Sequence, residues 1–187
     1  MGTDDYSIVQ LAADLRGLCG ETNNELEILS RARPLARRAA LAKESWLKPH
    51  LYDADPEQGF GIHLLHEETD HSLAIFAVSW LSGRGTPPHD HGTWALIAGV
   101  DGAEMNKFFE RLDDRTQPGH AELKKVDEKV LGVGEVIAMP TGWIHIVWNE
   151  TDKVSLSLNI YGKHLNFTER SQFDLERQTE TPFILLV

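Results

Sequence analysis

The stretch GRGTPPHDHGTWALIAGVDG, residues 83–102, decides how the rest of the chain is interpreted. It contains His89 and His91, which are separated by a single residue in a run typical of a β-strand. Side chains at positions i and i+2 of a strand point to the same face of the sheet. We therefore expect the two imidazoles to converge on one point.

A third histidine lies downstream, in the stretch GEVIAMPTGWIHIVWN, residues 134–149. Glycine and proline stand at defined distances before this histidine, and an asparagine follows it. The positions that define the pattern are Gly134, Pro140, Gly142, His145 and Asn149. Two separate segments of the chain thus present histidines in a setting rich in turn residues.

The first quarter of the chain is predicted to be helical. Apolar residues recur at intervals of three and four from Tyr6 to Leu18, and Gly20 is expected to end this helix. A second helix is predicted to begin after the capping pair Asn23-Asn24 and to stop before Pro34, which would itself open a third helix through Leu41. Residues 1–50 would then form a helical cover on the structure that follows.

From residue 58 onward the pattern is that of β-structure. Short apolar or alternating runs are separated by Gly, Asp and Pro clusters, with no helical pattern between them, which predicts an antiparallel sandwich or barrel over residues 58–165. A C-terminal extension would cover residues 166–187, and Asp113–Gly119 would be a loop. The predicted strands are Phe60–His66, Leu73–Leu81, Thr93–Gly99, Glu104–Arg111, Ala121–Val126, Glu135–Met139, Ile144–Asn149 and Val154–Tyr161.

Composition limits the possible partners and compartments. The chain has 187 residues, which suits one domain, and its formal charge of −11 has the wrong sign for attraction to nucleic acid or anionic lipid. A single cysteine, Cys19, excludes an intrachain disulfide. The sequence lacks the pattern of a signal peptide and any apolar run of membrane-spanning length, so a cytoplasmic location is expected. The sequence does not determine the oligomeric state, and it is compatible with a homodimer.

Together the two histidine stretches resemble the paired motifs of the cupin superfamily. The resemblance implies a mainly β fold, a double-stranded β-helix (jelly-roll) barrel with helices before it, and one metal ion bound by His89, His91 and His145. Ordinary polar residues near a barrel mouth are the alternative, but the same-face spacing and the agreement of two segments favour ligands. The other histidines are expected to be surface or hydrogen-bonded residues: His50, His63, His66, His71, His120 and His164.

The first motif departs from the cupin pattern at one position. Most cupins have a glutamate that is separated from the second histidine by three or four intervening residues, where this chain has Ala95 and Leu96. A site made of three neutral ligands keeps the full charge of a divalent ion and favours an anionic ligand such as a thiolate. The segments PPHDHGTWALIAGV, PTGWIHIVWN and SLSLNIYG are similar to the cysteine dioxygenase family and its bacterial thiol dioxygenase relatives. That resemblance implies one Fe(II) per chain, O2 and a small thiol acid oxidised to its sulfinic acid.

The same resemblance assigns a catalytic role to alternate residues of a late strand. The family has Ser, His and Tyr there, and the matching positions are Ser157, Asn159 and Tyr161. Tyr161 fits as a phenolic donor, whereas the amide of Asn159 cannot take up a proton as imidazole does. The alternative for Ser157 and Tyr161 is that they are ordinary strand residues with hydrogen-bond partners inside the barrel. Some family members crosslink a cysteine to this tyrosine, but the only thiol, Cys19, lies in the helical region, so Tyr161 is predicted to be unmodified.

Substrate recognition is predicted to differ from that of the cysteine-specific enzymes. Their carboxylate-binding arginine corresponds to Ile62 in this chain, which cannot form an ion pair. Relatives of the mercaptopropionate type instead have an arginine shortly after the strand tyrosine, which matches Arg170. A guanidinium fork suits both oxygens of a carboxylate. A solvated surface role for Arg170 is the alternative, and Arg84 is a further candidate.

Two other functions fit the sequence. One is a different three-histidine cupin metalloenzyme, such as a dicarbonyl dioxygenase or an isomerase. The other is a non-catalytic cupin that binds a metal or a small ligand. Aerobic turnover with O2 uptake would separate an enzyme from a binder, and a sulfur product would separate the two enzymes.

Overall fold

The computed structural model describes residues 5–184. Two α-helices come first and ten strands follow, and the strands contain more residues than the helices, so the predicted mainly β class is confirmed. The helices are α1 (Ile8–Glu21) and α2 (Glu25–Leu41), with short 3-10 turns at Lys43–Ser45, Pro49–Tyr52 and Leu165–Phe167. The strands are β1 (Phe60–Glu67), β2 (Ala74–Trp80), β3 (Ala95–Asp101), β4 (Glu104–Arg111), β5 (Leu123–Leu131), β6 (Val136–Met139), β7 (Ile144–Trp148), β8 (Ser155–Tyr161), β9 (Ser171–Asp174) and β10 (Thr179–Pro182).

The strands form two facing antiparallel sheets and a hairpin. The larger sheet has the order β1-β2-β8-β3-β6, the smaller has the order β5-β4-β7, and β9 pairs with β10. The sequence predicted a sandwich or a jelly-roll barrel, and the barrel is not closed, because within residues 5–184 no strand ladder joins the larger sheet to the smaller one. The segment that carries His89 and His91 leaves the end of β2 and pairs with β7 only through isolated bridges. The result is an open sandwich with the histidine stretches at one mouth.

Both faces of the larger sheet are buried at its central strands β2, β8 and β3, and β8 shows why this matters. Its residues Leu156, Leu158 and Ile160 pack with α1 and α2 in an outer apolar cluster. The alternate residue Tyr161 belongs to the inner cluster between the two sheets. Because successive side chains of a strand point to opposite faces, the polar residues of β8 are turned inward while the aliphatic ones hold the helices. The helical cover therefore leaves the inner face available for a site.

The helices differ from the prediction at two places. α1 begins with a capping box of Ser7 and Gln10, but it continues past Gly20 and ends at Glu21. α2 begins at the Asn24 cap and runs through Pro34, so the predicted break between a second and a third helix is wrong. Proline inside a helix costs about 3 kcal/mol, but the buried apolar stripe of α2 continues on both sides of it, and tertiary packing overrides the local penalty. No helix in residues 5–184 is long and apolar enough to cross a membrane.

Several strand boundaries also moved. β3 begins at Ala95, so His89 and His91 lie before the strand and not within the predicted strand run. β5 extends to Leu131, beyond the predicted end at Val126. The hairpin of β9 and β10 in the C-terminal extension was not predicted, because both strands have only four residues and carry mostly polar side chains.

The motif residue Asn149 has a structural role. It is fully buried, and its Nδ2 atom donates to the carbonyls of Trp80 (2.9 Å) and Lys153 (2.7 Å). Its Oδ1 atom accepts from the backbone N–H (2.9 Å) and the hydroxyl (2.7 Å) of Thr151. Asn149 thus ties the end of β2 to the turn between β7 and β8.

We predict that Asn149→Ala lowers the free energy of unfolding by roughly 2–4 kcal/mol, because it removes several buried hydrogen bonds at once. Urea denaturation followed by circular dichroism measures this change. The control Asn23→Ala alters an exposed residue before α2 and should stay within about 0.5 kcal/mol of wild type. Equal stability of the two variants would contradict the structural role.

Candidate metal centre

The structure brings His89, His91 and His145 together in the interior. All three are buried, and one nitrogen from each lies within 4.8 Å of the others. The backbones of His89 and His145 are joined by two hydrogen bonds, since each N–H donates to the other's carbonyl at 2.9 Å. The two histidine stretches of the sequence therefore meet directly. Among the described residues, this is the one group of potential metal ligands of its kind, and it contains no carboxylate.

Hydrogen bonds fix the tautomers of two of these histidines. His145 Nδ1 donates to the Oδ1 atom of Asn106 at 3.0 Å, and His89 Nδ1 donates to the Pro87 carbonyl at 3.1 Å. The proton of each neutral ring is thus on Nδ1, which leaves Nε2 with a free lone pair. Nε2 of His145 is buried and has no hydrogen-bond partner among the described residues. A buried nitrogen that accepts nothing from the protein is what a metal ligand requires.

The charge state of the three rings also suits a metal ion. Burial lowers the pKa of His89 to about 4, with a further contribution from the nearby Arg170 guanidinium. Burial and the neighbouring histidines hold the pKa values of His91 and His145 well below the ordinary value. All three are therefore neutral at pH 7 and need not lose a proton to bind a cation. Three neutral imidazole donors fit a divalent transition metal.

The predicted residues of β8 form one buried chain beside the histidines. The Tyr161 hydroxyl donates to Asn159 Oδ1 at 3.3 Å, and Asn159 Nδ2 donates to Ser157 Oγ at 2.9 Å. The Tyr161 ring lies 5.0 Å from the ring of His91, centroid to centroid. Burial raises the pKa of Tyr161 above its ordinary value, so the phenol stays protonated at neutral pH.

Arg170 is buried, with only 6% of its surface exposed, so it is not the solvated residue that was the alternative. It precedes Ser171, whose N–H donates to Asp90 Oδ1 and whose carbonyl accepts from the Asp90 N–H, both at 3.0 Å. These bonds tie the Arg170 segment to the residue between His89 and His91. The guanidinium is close enough to lower the pKa values of both histidines.

A cavity of about 40 Å³ lies against the three histidines, Tyr161 and Arg170. Room for a water molecule takes roughly 10–15 Å³ on this measure, so the cavity suits a ligand of a few non-hydrogen atoms. Ile62 lines the cavity, whereas Arg84 does not, because its guanidinium donates to the carbonyl of Glu57. The remaining wall is mostly apolar and includes Phe60, Val78, Trp80, Leu165 and Phe183.

Three polar residues near the site were not predicted: the half-buried Asp90 and the buried Glu104 and Asn106. A signal for two of them exists in the sequence, since Glu104 and Asn106 alternate with Phe108 in a predicted strand and share its inward face. Cys19, by contrast, packs with the outer cluster, while Tyr161 lies in the inner one. The larger sheet stands between them, which agrees with the prediction that Tyr161 carries no crosslink to this thiol.

No family model matches the chain. Solved structures with related architecture include TT1209 from Thermus thermophilus, with 18% identity, a TM-score of 0.48, and coverage of 63% of this chain and 96% of that one. Oxalate oxidase in complex with glycolate has 16% identity and a TM-score of 0.46, with 63% of this chain and 59% of that chain covered. A cupin superfamily protein from Desulfitobacterium hafniense has 17% identity and a TM-score of 0.42, with 58% and 81% covered. The chain thus spans less than two thirds of the oxalate oxidase chain.

We predict that alanine at His89, His91 or His145 strongly reduces bound metal while the fold persists. Each substitution removes one of three donors, and the remaining two cannot complete the site. Metal analysis after anaerobic Fe(II) loading and gel filtration measures the content, and circular dichroism reports the fold. The variant His50→Ala, at an exposed histidine, serves as control. Unchanged metal content in all three single variants would rule out this site.

Asn106→Ala is expected to weaken metal binding about 10- to 100-fold, because Asn106 orients His145 and fixes its tautomer. Competition with a coloured chelator gives the affinity. Lys107→Ala, which changes the next residue on the half-exposed face of β4, should bind metal like wild type. An Asn106→Ala variant with wild-type affinity would show that this contact does not support the site.

Proposed function

We propose that this chain is an Fe(II)-dependent thiol dioxygenase that oxidises a small mercapto-carboxylic acid to its sulfinic acid with O2. The single observation that carries the proposal is the buried pairing of three neutral imidazoles with the Arg170 guanidinium beside one small cavity. In the overall reaction both atoms of O2 end on the sulfur, and no external reductant is consumed.

Charge is the first argument. Three neutral histidines leave a divalent ion with its full charge, and Arg170 adds another positive charge in the same buried space. Charges interact more strongly there than in water, so the cavity favours a ligand with two negative groups. A mercapto acid supplies both, since its thiolate can face the metal and its carboxylate can face the guanidinium. The planar fork of arginine can pair with both carboxylate oxygens.

Size and polarity are the second argument. The cavity holds only a few non-hydrogen atoms, and its wall includes Ile62, which the resemblance matches to the carboxylate-binding arginine of the cysteine-specific enzymes. Apolar residues such as Phe60 and Phe183 form much of the remaining wall and exclude water. Recognition of the acid then falls to Arg170, and among the described residues that line the cavity there is no acidic partner for an α-amino group.

The chain's own groups would act as follows. His89, His91 and His145 would hold the iron, which when bound supplies a coordination site for the thiolate and the redox chemistry that activates O2. Arg170 would orient the carboxylate, and the protonated Tyr161 phenol would hydrogen-bond to the sulfur or to oxygen near the metal. Asn159 would orient Tyr161 but could not carry a proton between Tyr161 and Ser157, since an amide does not titrate.

Turnover assays test the proposal. The iron-loaded protein is supplied with 3-mercaptopropionate, mercaptosuccinate, L-cysteine and acetylacetone, while an O2 electrode records uptake and mass spectrometry detects the product. We expect O2 uptake with a sulfinate product for the two thiol acids. Uptake with acetylacetone alone would support a dicarbonyl dioxygenase instead, and no uptake with any compound would favour a binding protein.

We predict that Arg170→Ala lowers kcat/KM for thiol acids roughly ten- to a hundredfold, because a charge-assisted hydrogen bond is worth about 1.5–3 kcal/mol. The loss should be much smaller for a thiol without a carboxylate, such as 2-mercaptoethanol. Arg84→Ala, which changes an arginine outside the cavity wall, is the matched control. The same loss for acidic and neutral thiols, or a strong preference of wild type for L-cysteine, would contradict the role of Arg170.

A further inference from the structure

Glu104 is a deeply buried carboxyl group to which the proposed chemistry assigns no role. It lies at the start of β4, with 2% of its surface exposed, and neither carboxyl oxygen has a hydrogen-bond partner among the described residues. Burial raises the pKa of Glu104 to about 8. The hydroxyl of Ser157 is close enough to lower that pKa in part, although the two groups do not meet hydrogen-bond geometry. A buried carboxyl without a partner is costly, so its retention calls for a reason.

The surroundings of Glu104 contain little charge. Its cross-strand neighbour on β5 is the apolar Leu131, and the pairing of β4 with β7 begins at the next residue, Met105, opposite Trp148. On β8 the titratable group that it influences is Tyr161, whose pKa the charge of Glu104 raises. The pKa values of the three histidines are not affected by Glu104. The pKa of Glu104 is raised while those of the histidines are lowered, so Glu104 changes its charge at a higher pH than they do.

The chain on β8 runs from Tyr161 towards Glu104. Tyr161 donates to Asn159, and Asn159 donates to Ser157. The Ser157 oxygen thus already accepts a hydrogen bond, and its own hydrogen needs an acceptor. An ionised Glu104 carboxylate beside it is such an acceptor. In this arrangement every donor points away from the metal centre, and Tyr161 presents only oxygen lone pairs to the cavity.

We propose that Glu104 sets the direction of the hydrogen-bond chain Ser157–Asn159–Tyr161, and thereby decides whether Tyr161 offers a hydrogen or a lone pair to the metal centre. When Glu104 is protonated, its O–H donates to Ser157, Ser157 donates to Asn159 Oδ1, and the turned amide donates through Nδ2 to the Tyr161 oxygen. The Tyr161 O–H is then free to donate into the cavity. One proton enters from solvent at Glu104, and the other groups only rotate, so no proton passes through the amide.

Asn159 suits this role because its side-chain amide has a donor at one end and an acceptor at the other. A half-turn of that amide exchanges the two ends without changing the charge of the chain. Glu104 is thus inferred to be a positioning residue that acts on Tyr161 through two intermediates. The inference rests on the proposed function only where it concerns the effect of Tyr161 on turnover. The direction of the hydrogen-bond chain is a property of the protein without substrate.

The test uses metal-free protein with ¹³C at the Cζ atom of tyrosine, whose NMR shift reports hydrogen bonding of the phenol. The chain has only three tyrosines, and Tyr161→Phe assigns the signal. In wild type the Tyr161 signal should move with a midpoint at about pH 8. Tyr52, whose pKa is raised to about 12 by burial and by Asp101, serves as an internal reference that should not move in this range.

Variants separate the inference from a general structural effect. Glu104→Gln keeps the shape but cannot ionise, so its Tyr161 signal should be independent of pH and should resemble that of wild type at low pH. Ser157→Ala interrupts the chain and should also remove the pH response, which covers the case that Glu104→Gln does not fold. Glu110→Gln, at an exposed position near the end of β4, is the matched control, and its Tyr161 signal should respond to pH as in wild type. A Tyr161 signal that does not respond in wild type, or that keeps its midpoint in Glu104→Gln, would overturn the inference.

Activity assays then distinguish the two proposals. In the iron-loaded enzyme, the pH profile of kcat/KM should have a transition near the same midpoint in wild type and none in Glu104→Gln. If no thiol is turned over but the NMR response is present, the proposed function fails and the role of Glu104 stands. If thiols are turned over but the Tyr161 signal does not respond, the role of Glu104 fails alone.

Discussion

The reciprocal backbone hydrogen bonds between His89 and His145 are the constraint on which the site depends. They join two stretches that lie far apart in the sequence and fix the spacing of two of the three imidazoles. His91 follows on the same segment and completes the group. Other elements support this junction. The smaller sheet contributes Asn106, which hydrogen-bonds to His145, and the helices cover the opposite face of the larger sheet.

Burial of these polar groups lowers the stability of the fold, and the apolar outer core offsets this loss. The outer core between the helices and the larger sheet is the larger of the two apolar clusters, and its burial contributes hydrophobic stabilisation. The inner core accepts groups that lose hydration, such as the neutral histidines, Arg170 and Glu104. Stability and chemistry are therefore assigned to opposite faces of one sheet, and the strict alternation along β8 makes this separation possible.

Much of the site could be predicted from local spacing. The inward face of Ser157, Asn159 and Tyr161 follows from strand periodicity, and the structure places these residues as expected. His89 and His91 also converge as predicted, but they do so from a segment before β3 and not as residues of a strand. What could not be predicted depends on contacts between distant residues. Asp90 meets Ser171 across 81 positions, and His145 meets Asn106 across 39, so no local pattern reports either contact. The predicted end of the helix at Pro34 was wrong for the same reason, because the contacts that stabilise α2 are made with other parts of the chain.

The final segment of the described chain supplies two neighbouring parts of the cavity wall, Arg170 and Phe183. Arg170 and Phe183 face each other across the base of the β9–β10 hairpin, where the Phe183 N–H donates to the Arg170 carbonyl at 2.9 Å and the guanidinium lies 5.0 Å from the Phe183 ring. The Phe183 ring in turn contacts that of His89. One contiguous piece of about fourteen residues thus carries both the cation and an aromatic wall of the cavity, while the three histidines lie on other segments. Exchange of that piece alone would change the charge and shape of the pocket and leave the three histidines in place, so the two parts of the site can vary independently in sequence.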